Sequence, residues 1–472
     1  MRKPIHQSLS RRELLWSWGG GLGGVALAQM LGREGLYAAS TNGPAPKAKR
    51  VVQLFMSGAA SQVDTFDYKP EVARRNGQKF DPGGKVELFQ SDPGPIMASP
   101  WDWKPYGQCG KMISDLVPHI GSQADRIAFL HAMVSKSNVH GPATFLQSTG
   151  FVLPGYPSMG AWLSYGLGSM NDNLPTFVAL PDLRGFPPNG PGNWSAGFLP
   201  AQHQGTMIRV GRPQPIHDLF PPQGAGFVTP SSEKATLAAL EEMNRAHLEA
   251  RGEDSQLEAR IQSYEMAAKL QLSAPEALDI ASESPAVRKL YGVDEPLTQD
   301  FGTRCLVARR LLERGVRFVQ VWSGADNGFP RRNWDSHENI AKDHAQMAGE
   351  MDRPAAALIQ DLAATGLLDD TIVYWTTEFG RMPCSQGSLG RDHNPFAFTS
   401  WLAGGGVRGG VSYGSSDEWS YKVAENETFG YDVHATVLHL LGIDHQRLTY
   451  RHNGIDRRLT DVHGRVIDDI LA

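Results

Sequence analysis

Carboxylate and imidazole side chains recur in this sequence just past short apolar runs, and the densest case is 367–398. There the run 371–376 gives way to Glu378 and Arg381, and a glycine-spaced loop leads to Asp392, His393 and Asn394 ahead of Pro395. Carboxylate oxygen and neutral imidazole are what hard and borderline divalent cations take as ligands, so a metal centre is the chemistry these residues would support. A second set, Asp335 and His337, follows the run 315–322. After the run 50–56 come Ser57, Ser61 and Asp64, in a segment of small residues that lets the backbone approach a ligand closely. His140 stands before Pro142 at an expected helix start, where free backbone N–H groups and the positive dipole end favour an anion. His434, on an expected helix at 431–441, is a further candidate. Each of these has an ordinary alternative: an Asx cap, a solvated imidazole, or a surface ion pair between Glu378 and Arg381. Convergence sets them apart, because residues past the carboxyl ends of parallel strands open onto one crevice.

The elements that must position them follow from the apolar pattern. The β-branched and aromatic run 371–376 has the character of a strand buried on both faces of a mostly parallel sheet, and 50–56, 176–180 and 315–322 read the same way. Helical patterns lie at 156–167, 303–314, 340–364 and 431–441, and 113–133 reads as a helix followed by a strand. The helix at 340–364 would return the chain from one strand end to the next in a βαβ unit. The expected class is therefore α/β, a mostly parallel central sheet flanked by helices. Residues 80–110, rich in Gly, Pro and Trp, would form an irregular lobe or lid, and 184–198 a loop suited to shaping a pocket. The charged stretch 231–275 reads as a helical hairpin insertion with a solvated face, one use for which is oligomerisation.

A chain of 472 residues, 41% hydrophobic and 20% charged, is long enough for one large α/β domain, here 50–472. A net charge of -5 argues against a nucleic-acid partner. Three cysteines, Cys109, Cys305 and Cys384, lack metal-type spacing and imply no disulfide framework; Cys305 and Cys384 read as structural. Residues 1–40 carry Ser10-Arg11-Arg12-Glu13-Leu14-Leu15 and then a short Gly- and Ala-rich stretch, the layout of a twin-arginine (Tat) signal that exports folded proteins. That implies a partner in the Tat export machinery and a periplasmic or extracellular location. A polar linker follows at 41–49, and no stretch is apolar enough for a stable membrane span.

Four motifs occur in order: Leu54-Phe55-Met56-Ser57-Gly58 with Ser61-Gln62-Val63-Asp64-Thr65-Phe66-Asp67-Tyr68-Lys69-Pro70, then Trp334-Asp335-Ser336-His337, Thr377-Glu378-Phe379-Gly380-Arg381, and Gly390-Arg391-Asp392-His393-Asn394-Pro395. Together they resemble the bacterial family called domain of unknown function 1501, abundant in planctomycetes, often Tat-exported and placed in the alkaline phosphatase and sulfatase superfamily. The resemblance runs from about residue 49 to 466. It implies an alkaline phosphatase/sulfatase-like fold with one metal site largely kept, on Asp335, His337 and His393. It also implies departures. Where sulfatases carry a modified nucleophile in Cys-x-Pro-x-Arg ending in Thr-Gly, this chain has His140-Gly141-Pro142-Ala143-Thr144 ending in Thr149-Gly150, with no cysteine or serine for formylglycine chemistry. Where related enzymes end a strand in an Asp-His metal pair, it has Glu378-Phe379.

The resulting expectation is an exported, metal-dependent hydrolase (sulfatase-like) acting on a phosphate or sulfate ester, small-molecule or polysaccharide. One divalent ion, zinc, calcium or manganese, would sit on Asp335, His337 and His393, with oxygen from Asp64, Glu378 or Asp392. Arg381 would steady the anion, Ser57, Ser61 and Asn394 would contact substrate, and His140 would be nucleophile, general acid or additional ligand. The alternative is a non-catalytic, metal-stabilised protein that binds sulfated polysaccharide or an envelope partner.

Overall fold

The computed structural model describes residues 43–472 apart from 90–91, 327–331 and most of 213–274. The signal expected at 1–40 and most of the hairpin expected at 231–275 lie outside the described residues. Nine strands form the central sheet: β1 (Arg50–Met56), β2 (Ile127–Val134), β3 (Phe177–Leu180), β4 (Thr206–Met207), β5 (Phe318–Ser323), β6 (Thr371–Thr376), β7 (Phe398–Ala403), β8 (Val411–Tyr413) and β9 (Thr428–Phe429). Their order is β8-β2-β7-β6-β1-β5-β3-β4, with β9 also on β2. Every pairing is parallel except those of β7, which runs antiparallel to both β6 and β2.

Side-chain alternation explains why the strands read as unbroken apolar runs. Val52, Leu54 and Met56 of β1 face one core, together with α3 (Gln299–Glu313) and α4 (Ile340–Ala364). Val51 and Phe55 face the other, with α2 (Met159–Leu167) and α5 (Gly430–Leu440). A sheet covered on both faces has no polar side to alternate with. Among the helices there is also α1 (His140–Thr149), which follows β2. The long helix falls where its amphipathic pattern puts it, at 340–364, and it does link β5 to β6. Those strands are not neighbours, however, because β1 lies between them and α4 crosses it.

Residues 47–49, at the end of the stretch read as a linker, are tied down: the N–H groups of Lys47 and Ala48 donate to the Leu440 carbonyl at 2.8 and 2.9 Å, and that of Lys49 to Asp370 at 2.8 Å. The 80–110 stretch is mostly irregular, and it is anchored where Phe80 and Ile96 pack with Met382, Cys384, Trp419 and Tyr421. Among the described residues no helix is long and apolar enough to cross a membrane.

Candidate metal centre

The strand order decides what meets at the sheet's edge. β1, β2, β5 and β6 all end there, delivering the loops that carry Ser57, His140, Asp335 and Glu378, while antiparallel β7 begins there just after His393, Asn394 and Pro395. Two devices then lock the loops together. Gly58 has φ +109°, and a Cβ on it would lie 2.6 Å from the backbone nitrogens of Trp334 and Asp335, so only glycine lets the turn after β1 press against the Asp335 segment. Arg381, fully buried, donates from Nε to Ala59 O at 3.0 Å, from Nη1 to Arg391 O at 3.1 Å, and from Nη2 to Gly58 O, to Trp334 O at 3.3 Å and to Asp335 Oδ1 at 2.6 Å.

Around that clamp, His140, Asp335 and His393 form a buried group that could hold a metal ion. Asp335 Oδ1 lies 2.8 Å from His337 Nε2, 3.2 Å from His393 Nε2 and 3.4 Å from His140 Nε2. The two nitrogens His337 Nε2 and His393 Nε2 are 3.0 Å apart. The other nitrogen of each ring is bonded to an oxygen. His393 Nδ1 meets the Asn138 carbonyl at 2.7 Å, His337 Nδ1 meets Gln386 Oε1, and His140 Nδ1 meets Glu378 Oε1 at 2.6 Å. Oxygens that can only accept fix a donor at each Nδ1, which leaves the Nε2 lone pairs of neutral His337 and His393 turned inward, the arrangement that orients metal-ligating histidines. Lone pairs 3.0 Å apart repel unless a cation or proton stands between them.

The electrostatics agree. Burial opposes charge on Asp335, but the Arg381 guanidinium and the imidazoles outweigh it and hold the carboxyl far below the usual range. Burial pulls His393 down to about 4, so it is a neutral imidazole at neutral pH. Burial also works against a proton on His140, yet the Asp335 and Glu378 carboxylates raise it to about 9. Its Nε2 has no partner within ordinary hydrogen-bond reach. The residues present suit a divalent cation of the kind that accepts nitrogen and oxygen ligands.

The group forms the floor of an open cavity of about 730 Å³ walled by Phe89, Pro188, Asn189, Glu338 and Gln386, among others. The 184–198 loop thus shapes the cavity and does not fill it. The family profile described as "Protein of unknown function (DUF1501)" matches residues 48–471.

The chain belongs to the DUF1501 family.

No curated protein matches the sequence. Several solved structures are similar. The lipoteichoic acid synthase LtaP from Listeria monocytogenes has 12% identity over 88% of this chain and 78% of its own, with a TM-score of 0.32. The phosphonate monoester hydrolase SpPMH from Silicibacter pomeroyi has 13% over 75% and 71%, at 0.35. The PsFucS1 sulfatase from Pseudoalteromonas sp. has 13% over 92% and 77%, at 0.34. Likeness at these scores carries no argument about activity, so the chemistry of this DUF1501 protein rests on its own side chains.

The structure brings His140, Asp335, His337 and His393 together and places the other candidates elsewhere. Arg381 differs most from expectation: its guanidinium is spent on four carbonyls and Asp335, fully buried, so it clamps loops and is not presented to an anion in the cavity. Glu378 stands behind His140, accepting also from Gly58 N–H at 2.8 Å, and is not an oxygen ligand at the centre. Asp64 pairs with Arg391 at 2.8 and 3.0 Å and accepts from Ser61 Oγ, so it too lies outside the centre. Asp392 accepts from the N–H groups of His393 and Phe89 at 2.8 and 3.2 Å, which shapes the turn that carries His393. Ser61 donates its N–H to His344 at 3.0 Å, Ser57 is wholly buried, and Asn394 donates to the Ser420 and Tyr421 carbonyls; none of the three lines the cavity. His434 bonds the Gln147 carbonyl at 2.9 Å, near the far end of α1 from His140.

Sequence reasoning missed Gln386, Asn138 and Phe89. Phe89 stacks on His393 with ring centroids 4.8 Å apart. Gln386 lay in the glycine-spaced loop already singled out. Nothing in the sequence signals a backbone carbonyl such as that of Asn138.

Proposed function

We propose that this protein is an exported hydrolase of phosphate or sulfate esters, built around one divalent cation held by Asp335 Oδ1, His337 Nε2 and His393 Nε2. The observation that carries the reading is that the Nε2 atoms of His337 and His393 and one carboxylate oxygen of Asp335 meet on the floor of a cavity beside His140 Nε2, with every opposite ring nitrogen already bonded. When bound, zinc, manganese or calcium there would polarise an ester oxygen and lower the pKa of a coordinated water. The protein's own residues supply the rest. Glu378 fixes His140 with Nε2 toward the cavity, as a base-orienting carboxylate does, so His140 is placed to give or take a proton at the ester or to attack it. The start of α1 at His140 and Gly141 turns its positive dipole end to the same space, which favours an anionic group. Export rests on the twin-arginine layout of residues 1–40.

One observation favours a second reading, a metal-stabilised protein that binds polysaccharide or an envelope partner without turnover. With Arg381 spent on the clamp, the cavity lining among the described residues includes no arginine or lysine to meet an anion. A screen of aryl and sugar phosphates and sulfates on metal-loaded protein separates the two. Hydrolysis that falls by about a hundredfold or more in His140→Ala and about tenfold in Glu378→Gln supports the enzyme. No turnover of any ester by protein shown to hold its ion leaves the binding reading.

A further inference from the structure

A second cavity, of about 250 Å³, lies away from the metal centre and is lined by Val63, Tyr68, Lys69, Val72, Ala73, Ser99, Trp101, Asp102 and Trp103. No residue lines both cavities. It contains Val63, Tyr68 and Lys69, residues of the first sequence motif that the metal centre does not use. Nine tryptophans fall among the described residues, and seven of them are buried; the two that are not, Trp101 and Trp103, both line this cavity. Tyr68 is 40% exposed although the segment before it is buried throughout. An aromatic surface kept open in three side chains of one small trough is costly to leave wet and suits a ligand with an apolar face.

Geometry narrows the ligand. The Tyr68 and Trp103 rings touch, with centroids 5.3 Å apart and planes at 43°. Rings that close leave no room for a quaternary ammonium between them. An anion is disfavoured because the one basic group, Lys69, is turned aside: its Nζ donates to the Ser416 carbonyl at 3.1 Å and pairs with Asp67 at 3.3 Å. What remains is a carboxylate at Asp102 and a hydroxyl at Ser99 in the same lining as the rings. A carboxylate accepts from two neighbouring hydroxyls at once while a ring stacks on a C–H face. The volume is below the range of ~300–1,000 Å³ that holds a drug-sized ligand, and so fits a single ring.

We infer that this trough is a carbohydrate subsite that takes one uncharged pyranose unit of an oligosaccharide, stacked on Tyr68 and Trp103 with hydroxyls on Asp102. The inference does not depend on the metal reading. Saturation-transfer NMR and tryptophan fluorescence titrations on the full chain with cellohexaose, laminarihexaose and mannohexaose test it, with tetramethylammonium and inorganic sulfate as contrasting probes. The expected result is saturable binding of at least one hexasaccharide, weakened about tenfold or more in Trp103→Ala and several-fold in the isosteric Asp102→Asn, with metal content unchanged in both. Binding of no hexasaccharide, binding untouched by both substitutions, or binding of tetramethylammonium in their place would overturn it.

Discussion

Replacing Arg381 by lysine separates a clamp from a substrate-binding arginine. The guanidinium makes five contacts, to the carbonyls of Ala59, Arg391, Gly58 and Trp334 and to Asp335 Oδ1. A lysine ammonium keeps the charge but has three donors on one atom and cannot span the fork. At least two buried acceptors are then left without a partner, at about 1–3 kcal/mol each. The expected loss is therefore about 2–6 kcal/mol, read as a lower urea midpoint at unchanged slope. Metal affinity should fall with it, because Asp335 loses the donor that fixes its rotamer. Had Arg381 been an anion-binding group facing the cavity, lysine would lower ester turnover and leave folding nearly untouched. An Arg381→Lys protein within about 0.5 kcal/mol of wild type, with turnover alone reduced, would refute the clamp.

Three further outcomes follow from local geometry. Gln386→Leu removes the acceptor that fixes the His337 tautomer, and metal affinity measured by competition with a chelator should weaken by about 10–100-fold in a folded protein; unchanged affinity would place His337 outside the ligand set. Gly58→Ala forces a side chain into backbone at φ +109°, which should cost about 1–3 kcal/mol in strain alone and loosen the ion, whereas a neutral effect would mean that the turn does not position Asp335. His344, buried between Ser61 N–H at 3.0 Å and Ser336 Oγ at 2.9 Å, is pulled down to about 3 by burial first. Above pH 6.5 it is neutral folded or unfolded; as pH falls toward 3 only the unfolded chain takes up the proton, so stability is lost, by about 2 kcal/mol at pH 5. His344→Gln should flatten that part of the pH dependence, and an unaltered slope would contradict it.

The sheet was legible because its strands are covered on both faces, which leaves unbroken runs such as 371–376, and because α4 keeps its amphipathic period across all of 340–364. The two-residue ladder of Gly380–Arg381 with His393–Asn394, which sets the height of His393, was not legible, since so short a pairing has no periodicity. The site was legible in part. Asp335, His337, His393 and His140 follow strand ends that the topology brings to one edge. Arg381, Asp64 and Glu378 stand at the same edge and could not be sorted from ligands by type or spacing, because each is defined by its partner: four carbonyls, Arg391 and His140 respectively. Partners hundreds of residues apart in sequence leave no trace in spacing.

Metal content, measured by mass spectrometry on protein purified without chelator and on the Asp335→Ala and His393→Ala variants, tests the central claim most directly. The account predicts about one zinc, manganese or calcium ion per chain, lost from both variants. Wild-type protein that holds no metal, takes up none of the three when offered, and is no less stable in chelator would contradict it.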